Sequence, residues 1–390
     1  MTARNCLFIS TFNMDARPWS GVPFEFADVV SELETTTVLA PRDRFYDKNN
    51  QSRPPSLSDR IEAKLRRLQG KYVPRMEPVK LEEDYDVTFY TCQFIYEIEE
   101  IEQIRRWRQR SGIAVLFILE TFSSTFERWK DKLRLMDSFD HVFVLNGSSM
   151  GQLARYTSTP ITQLSTATDC LMTTPFASQP ERGIDLCCLG RRDPKLHERL
   201  LALVQEQGWH YHYDVWTNFE MRDSWSEVRR FNAEMIKRSR YYLSFDPGDK
   251  SALRESVARD RVLTTRYFEG AAGGAVVLGS APDCAEYHDA FDWPDALVPL
   301  QGDPAPVLRE LEADPQRVAR IRRDNVANSL RKHDWAHRWK RVVDALGRAP
   351  ALKHCLPVQR RAPRAARVAS CAAGRWDRGK VSRYGEGAAG

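Results

Sequence analysis

Short apolar runs alternate with amphipathic stretches along most of this chain, and the alternation restarts once. In the first half, runs at residues 6–10, 35–40, 86–90, 113–119, 140–145 and 160–164 have the length and apolar continuity of buried strands. Between them, 24–33, 98–110, 123–135 and 148–156 carry helical periodicity, with 21–23 read as a loop and Ser123 or Ser124 as a helix cap. Residues 42–55 form a polar excursion, and 57–68 are amphipathic and basic. A second series begins after a linker at 170–183. Its strands are placed at 184–189, 209–215, 241–245, 275–278 and 296–300, and its helices at 194–206, 225–238, 305–312, 315–330 and 335–346. Two runs of alternating strand and helix predict an α/β protein with two doubly wound parallel sheets.

Composition changes this picture little, except at the end of the chain. A length of 390 residues suits two domains, and 42% hydrophobic residues can fill a core in each. No apolar run approaches a membrane span. The first residues read straight into a strand rather than a signal peptide. The eight cysteines are scattered, with only Cys187 and Cys188 adjacent, so neither a zinc site nor a disulfide framework is expected, and a reducing, cytoplasmic setting is. The net charge of +5 is carried by residues 351–390, which hold nine Lys/Arg against two Asp/Glu. The remaining body is near neutral, which argues against a nucleic-acid partner. The segment 350–390, rich in Ala, Arg and Gly, is expected to be a disordered basic tail. It reads either as a stretch without function or as a peripheral contact to an anionic membrane surface.

The densest candidate chemistry lies at Thr264-Thr265-Arg266-Tyr267-Phe268-Glu269-Gly270-Ala271-Ala272-Gly273-Gly274, followed by the apolar run Ala275-Val276-Val277-Leu278. Thr264 or Thr265 can cap a helix, and Gly273-Gly274 can end it. Arg266 and Glu269, three residues apart, share a helix face. Arg266 can meet a phosphate or pair with Glu269. Glu269 can accept from a vicinal diol, or merely complement the helix dipole.

Arg266, Phe268, Glu269, Ala272 and Gly274 resemble the donor helix of the bacterial "glycosyl transferases group 1" and CgeB-like type. His333-Asp334-Trp335-Ala336-His337-Arg338 is similar to the closing H-x-W-x-x-R phrase of the same family. The resemblance implies a GT-B fold: two Rossmann-like domains facing a cleft, with C-terminal helices crossing back. It divides the chain into an acceptor domain at 1–169, a linker at 170–183 and a donor domain at 184–349. It further implies transfer of a sugar from a nucleotide-diphosphate sugar to a carbohydrate, lipid-linked or natural-product acceptor, with retention and with neither metal nor cofactor. In glycosyltransferase family 4 relatives a second glutamate stands eight places before the position of Glu269. Here Arg261 stands there, beside Asp260.

Three further positions follow from strand ends. Gly190-Arg191-Arg192-Asp193-Pro194-Lys195 follows the first strand of the second half. There Gly190 permits close backbone approach, and Arg191, Arg192 and Lys195 set cations at a helix start, either for a diphosphate or as a solvated loop. The family resemblance favours the diphosphate, and Arg191 is then a catalytic cation for the leaving group. Gly21, after the first strand, resembles a loop approaching the donor across the cleft and also reads as a plain turn. Glu120, after the strand at 113–119, is either a base toward an acceptor hydroxyl or a helix cap. His141, at the opposite end of its strand, is read as structural. The alternative to an enzyme is a non-catalytic homologue that senses sugar nucleotides or serves as a partner subunit, a reading supported by Arg261. A dinucleotide oxidoreductase is disfavoured, since no G-x-G-x-x-G follows either first strand.

Overall fold

The computed structural model describes residues 6–14, 17–45, 56–69, 72–175, 180–190, 192–214, 225–245 and 260–347. The segment expected to be a disordered tail lies outside them.

In the first half, the strands are β1 (Cys6–Ser10), β2 (Thr36–Leu39), β3 (Val79–Lys80), β4 (Tyr85–Phe94), β5 (Ile104–Arg105), β6 (Ser111–Glu120), β7 (His141–Val144) and β8 (Ile161–Gln163). Its helices are α1 (Gly21–Leu33), α2 (Leu57–Leu68), α3 (Lys130–Leu133), α4 (Met150–Leu153) and α5 (Cys170–Thr173). A six-stranded sheet of order β2-β1-β4-β6-β7-β8 runs parallel throughout, with Cys6 opposite Val87 and Ile118 opposite Val144. Central strands such as β1 and β6 are buried on both faces, which is why they read as continuous apolar runs.

The second half holds β9 (Ile184–Cys188), β10 (Tyr211–Tyr213), β11 (Ser239–Ser244), β12 (Val276–Gly279) and β13 (Val298–Pro299), in a parallel sheet of order β10-β9-β11-β12-β13. Its helices are α6 (Pro194–Gln207), α7 (Trp225–Lys237), α8 (Thr265–Ala272), α9 (Ala285–Ala290), α10 (Ala305–Ala313), α11 (Pro315–Lys332) and α12 (Trp335–Ala345). The two doubly wound sheets predicted from the alternation are both present.

The last helix crosses back to the first half. Asp334 caps α12 by accepting from Ala336 N–H (2.8 Å) and also accepts from Cys170 N–H (3.0 Å). Trp335 stacks on Phe26 of α1 with centroids 4.6 Å apart, inside an aromatic cluster with Phe8, Phe89 and Phe117. Trp339 joins the same core and donates to Glu34 (3.0 Å). Arg338, beside them, is buried and donates to the carbonyls of Ser165 (3.0 Å) and Thr166 (3.1 Å).

Three local expectations are corrected. The loop expected at 21–23 is the first turn of α1, where Pro23 is harmless because its missing N–H would have had no intrahelical partner. The helix expected at 98–110 is a 3-10 helix at Ile95–Gln103 followed by β5. Ile95, Ile98 and Ile101 recur every third residue, so a three-residue turn keeps all of them on the core side. The helix expected at 123–135 is broken into a 3-10 turn at Ser123–Thr125, the short α3, and a 3-10 segment at Arg134–Ser138.

Candidate functional site

Ligands in doubly wound sheets gather beyond the carboxyl ends of strands, where the strand order reverses. In the second sheet that point lies between β9 and β11. Gly190 follows β9 with a φ of +101°, a conformation costly for any residue with a Cβ. Its N–H donates to Asp214 Oδ2 at 2.7 Å. A Cβ here would run into the guanidinium of Arg266, which reaches over from α8 and donates to the Leu189 carbonyl (3.3 Å). Gly190 and Arg266, selected separately from the sequence, therefore meet at one strand end. The other cations divide. Arg192 is held by Asp214 Oδ1 at 2.6 Å and lies over the Tyr213 ring, so it faces β10. Lys195 is exposed in the first turn of α6, whose cap is Asp193, accepting from Leu196 N–H at 2.6 Å. Arg191 lies outside the described residues.

Thr264 occupies the cap position of α8, yet its hydroxyl makes no capping bond, contrary to the expectation. Thr264 Oγ1 is buried without a partner, and so are Ser244 Oγ at the end of β11 and Tyr242 Oη. Buried hydroxyls of this kind are costly unless something else satisfies them. The helix start thus offers its own N–H groups and the Thr264 hydroxyl close in sequence to the Arg266 cation.

Glu269 does not pair with Arg266. Its Oε1 accepts from Arg229 Nη1 at 2.7 Å, and Arg229 Nε donates to Glu25 Oε2 at 2.6 Å. All three side chains are buried. Burial pulls the Arg229 pKa down, but the carboxylates of Glu25 and Glu269 more than reverse this and raise it. Glu25 belongs to α1, Arg229 to α7 and Glu269 to α8, so the triad joins the two halves. Glu25 also accepts from Asp169 N–H (2.6 Å) and from Trp335 Nε1 (3.0 Å). Gly21 finds its physical role here: a Cβ would lie 3.1 Å from Arg229 Cδ, so the glycine gives the arginine room.

The first sheet reverses order between β1 and β4. Glu97, just after β4, accepts from Thr11 Oγ1 (3.0 Å) and Gln93 N–H (2.9 Å). Burial pushes its pKa up to about 7. Glu120 accepts from Gln93 Nε2 at 2.8 Å at the end of β6. In the next turn Asp260, from the other half, accepts from both N–H (2.7 Å) and Oγ (2.8 Å) of Ser123. A second cross-cleft bond runs from Gly147 N–H to Glu286 Oε1 (2.8 Å). The Asn146 side chain beside it is buried with neither amide atom partnered. His141 sits at the amino end of β7, bonded to Thr162 at 2.9 Å, away from these groups.

Arg229, Glu97 and Asp214 did not stand out in the sequence. Glu97 sits in a run of acids whose burial depends on the 3-10 turn. Arg229 is one of two adjacent arginines in a helix, and only packing separates their roles. Asp214 ends a short strand with no local pattern.

Among the described residues, no group of three His, Cys, Asp or Glu side chains is placed to hold a metal ion, and no helix is long and apolar enough to cross a membrane. No curated protein matches the sequence. Residues 191–344 match the family model described as glycosyl transferase-like. Among solved structures, an alpha-glucosyltransferase in complex with UDP-glucose and DNA containing an abasic site superposes with a TM-score of 0.52 at 12% identity, covering 89% of this chain and 100% of that one. The trehalose-6-phosphate phosphatase N-terminal domain of Candida albicans superposes with a TM-score of 0.51 at 9% identity, covering 89% and 97%. With two parallel sheets, a last helix returned to the first of them and a glycosyl transferase-like segment at residues 191–344, this chain has the GT-B fold.

Proposed function

We propose that the chain transfers a sugar from a nucleotide-diphosphate sugar, with the second half (184–349) holding the donor and the first half (1–169) the acceptor. The observation that carries this is the meeting of Gly190 and Arg266 at the switch point of the second sheet, beside the unpartnered Thr264 hydroxyl at the start of α8. A departing diphosphate gathers negative charge. Arg266, the N–H groups at the start of α8, Lys195 and, by its place in the sequence after Gly190, Arg191 would stabilise that charge without a metal. Glu269, fixed by Arg229, would accept from the ribose hydroxyls. Glu120 and Glu97 lie on the acceptor side, and a carboxylate with a raised pKa suits proton removal from a hydroxyl. Retention of configuration follows from the family resemblance. The near-neutral body favours a carbohydrate, lipid-linked or natural-product acceptor over nucleic acid.

The test is a panel of nucleotide sugars, starting from UDP-glucose, in which binding and release of nucleoside diphosphate are measured with and without sugar acceptors. Turnover that requires an acceptor is expected, and proton NMR of the product reads its anomeric configuration. Failure to bind any nucleotide sugar would refute the proposal. A second reading, a non-catalytic sensor, is favoured by Arg261 in place of the relatives' glutamate and by the engagement of Asp260 with Ser123. Binding without turnover across the panel would select it.

A further inference from the structure

The exposed large apolar side chains among the described residues concentrate on one helix. Leu57, Ile61, Leu65 and Leu68 of α2 are 75%, 53%, 54% and 76% exposed. Their spacing sets them on one face. The helix is mounted with its polar side inward. Asp59, Glu62, Ala63 and Arg66 are its half-buried residues. Glu62 accepts from Arg44 (2.9 Å) and Arg66 (3.1 Å), Asp59 lies 3.8 Å from Arg44, and Arg66 reaches Glu99 at 3.0 Å. Ser56 and Asp59 form a reciprocal capping box at its start. Ion pairs therefore anchor α2, while the apolar stripe that normally anchors a surface helix is left in water.

The residues around that stripe select its occupant. The exposed positions of α2 are Leu57, Ser58, Arg60, Ile61, Lys64, Leu65, Arg67 and Leu68, so the outward face carries cations and no acid. A second copy seated face to face would set these cations against their own counterparts. An anionic bilayer surface meets both features at once: the acyl boundary takes the leucines and isoleucine, and the headgroups take the arginines and lysine. We propose that α2 docks this protein on anionic membrane surfaces, with Leu57, Ile61, Leu65 and Leu68 inserted and Arg60, Lys64 and Arg67 at headgroup level. Glu99, beneath α2, lies on the same 3-10 helix as Glu97, so docking brings the carboxyl edge of the first sheet beside the bilayer. The proposal stands independently of the transfer reaction.

The test is co-sedimentation of the full chain with phosphatidylcholine vesicles and with equimolar phosphatidylcholine–phosphatidylglycerol vesicles. Binding is expected only to the anionic vesicles. The double variant I61E/L65E, altered at solvent-facing positions, should keep the parent melting temperature and lose roughly 100-fold in partitioning. The triple variant R60Q/K64Q/R67Q should lose about five-fold per charge removed. Equal binding of I61E/L65E and parent would overturn the proposal, because the basic segment 350–390 or another surface would then be responsible. Absence of binding by the parent would overturn it too, as would a lipid-independent dimer in light scattering that I61E/L65E dissolves.

Discussion

Replacing Arg229 with methionine isolates the link between the two halves. The substitution keeps much of the volume and removes the guanidinium held at 2.6 Å from Glu25 and 2.7 Å from Glu269. Two buried carboxylates are then left facing a thioether. Removing one partner of a buried ion pair costs about 3–5 kcal/mol, because the remaining charge is uncompensated. The entropy of unfolding for a body of this length is on the order of 0.7 kcal/mol per degree, so the main calorimetric transition should fall by about 4–7 °C. Lysine at the same place retains the charge but cannot fork between two carboxylates, so R229K should recover only part of the loss. The triple variant E25Q/R229M/E269Q leaves no buried charge and should be more stable than R229M alone. Scanning calorimetry of the single and combined variants closes a double-mutant cycle, with a coupling of at least about 1 kcal/mol expected for contacting residues. An R229M protein that melts within about a degree of the parent, or additive losses from Glu25 and Arg229, would refute the reasoning.

Two further expectations concern the two sheet edges. The Glu97 pKa is raised from 4.5 to about 7 by burial, so the folded state binds the extra proton between those values and stability declines as pH rises through about 7. E97Q should therefore match the parent near pH 4 and exceed it near pH 8, by at most ~3 kcal/mol in urea denaturation; equal stability at both pH values would remove the buried charge from the account. G190A forces a Cβ into a left-handed backbone position and against Arg266, and should weaken nucleotide-sugar binding in titration calorimetry at least ~10-fold while costing ~1–2 kcal/mol of stability; unchanged affinity would detach Gly190 and Arg266 from the donor.

Both sheets were legible in the sequence because parallel strands are buried on two faces and print as apolar runs, as at residues 113–119 within β6. The Gly190–Arg266 meeting was half legible: strand ends told which residues share an edge, but not that the arginine lies over the glycine. Broken helical segments were less legible. Isoleucines at 95, 98 and 101 fit an α-helical face nearly as well as a 3-10 one, and packing beneath β4 decides between them. Buried ion pairs were least legible. Glu25 and Arg229 are ordinary in local pattern, Glu269 stands out only for its motif, and that the three pair emerges only once three helices converge.

The return of α12 has a consequence for how the chain can be made. Trp335, Trp339 and Val342 sit within the same apolar cluster as Phe8 and Val115. During synthesis the first half emerges long before those residues exist, so one face of its sheet must wait only partly covered, by α1, while the whole second half is translated. The first domain in order of appearance is thus the last to be finished. A stop before residue 335, or expression of the halves as separate pieces, would leave aromatic surface for chaperones to hold, and a permuted chain beginning with α12 would let the first sheet close at once.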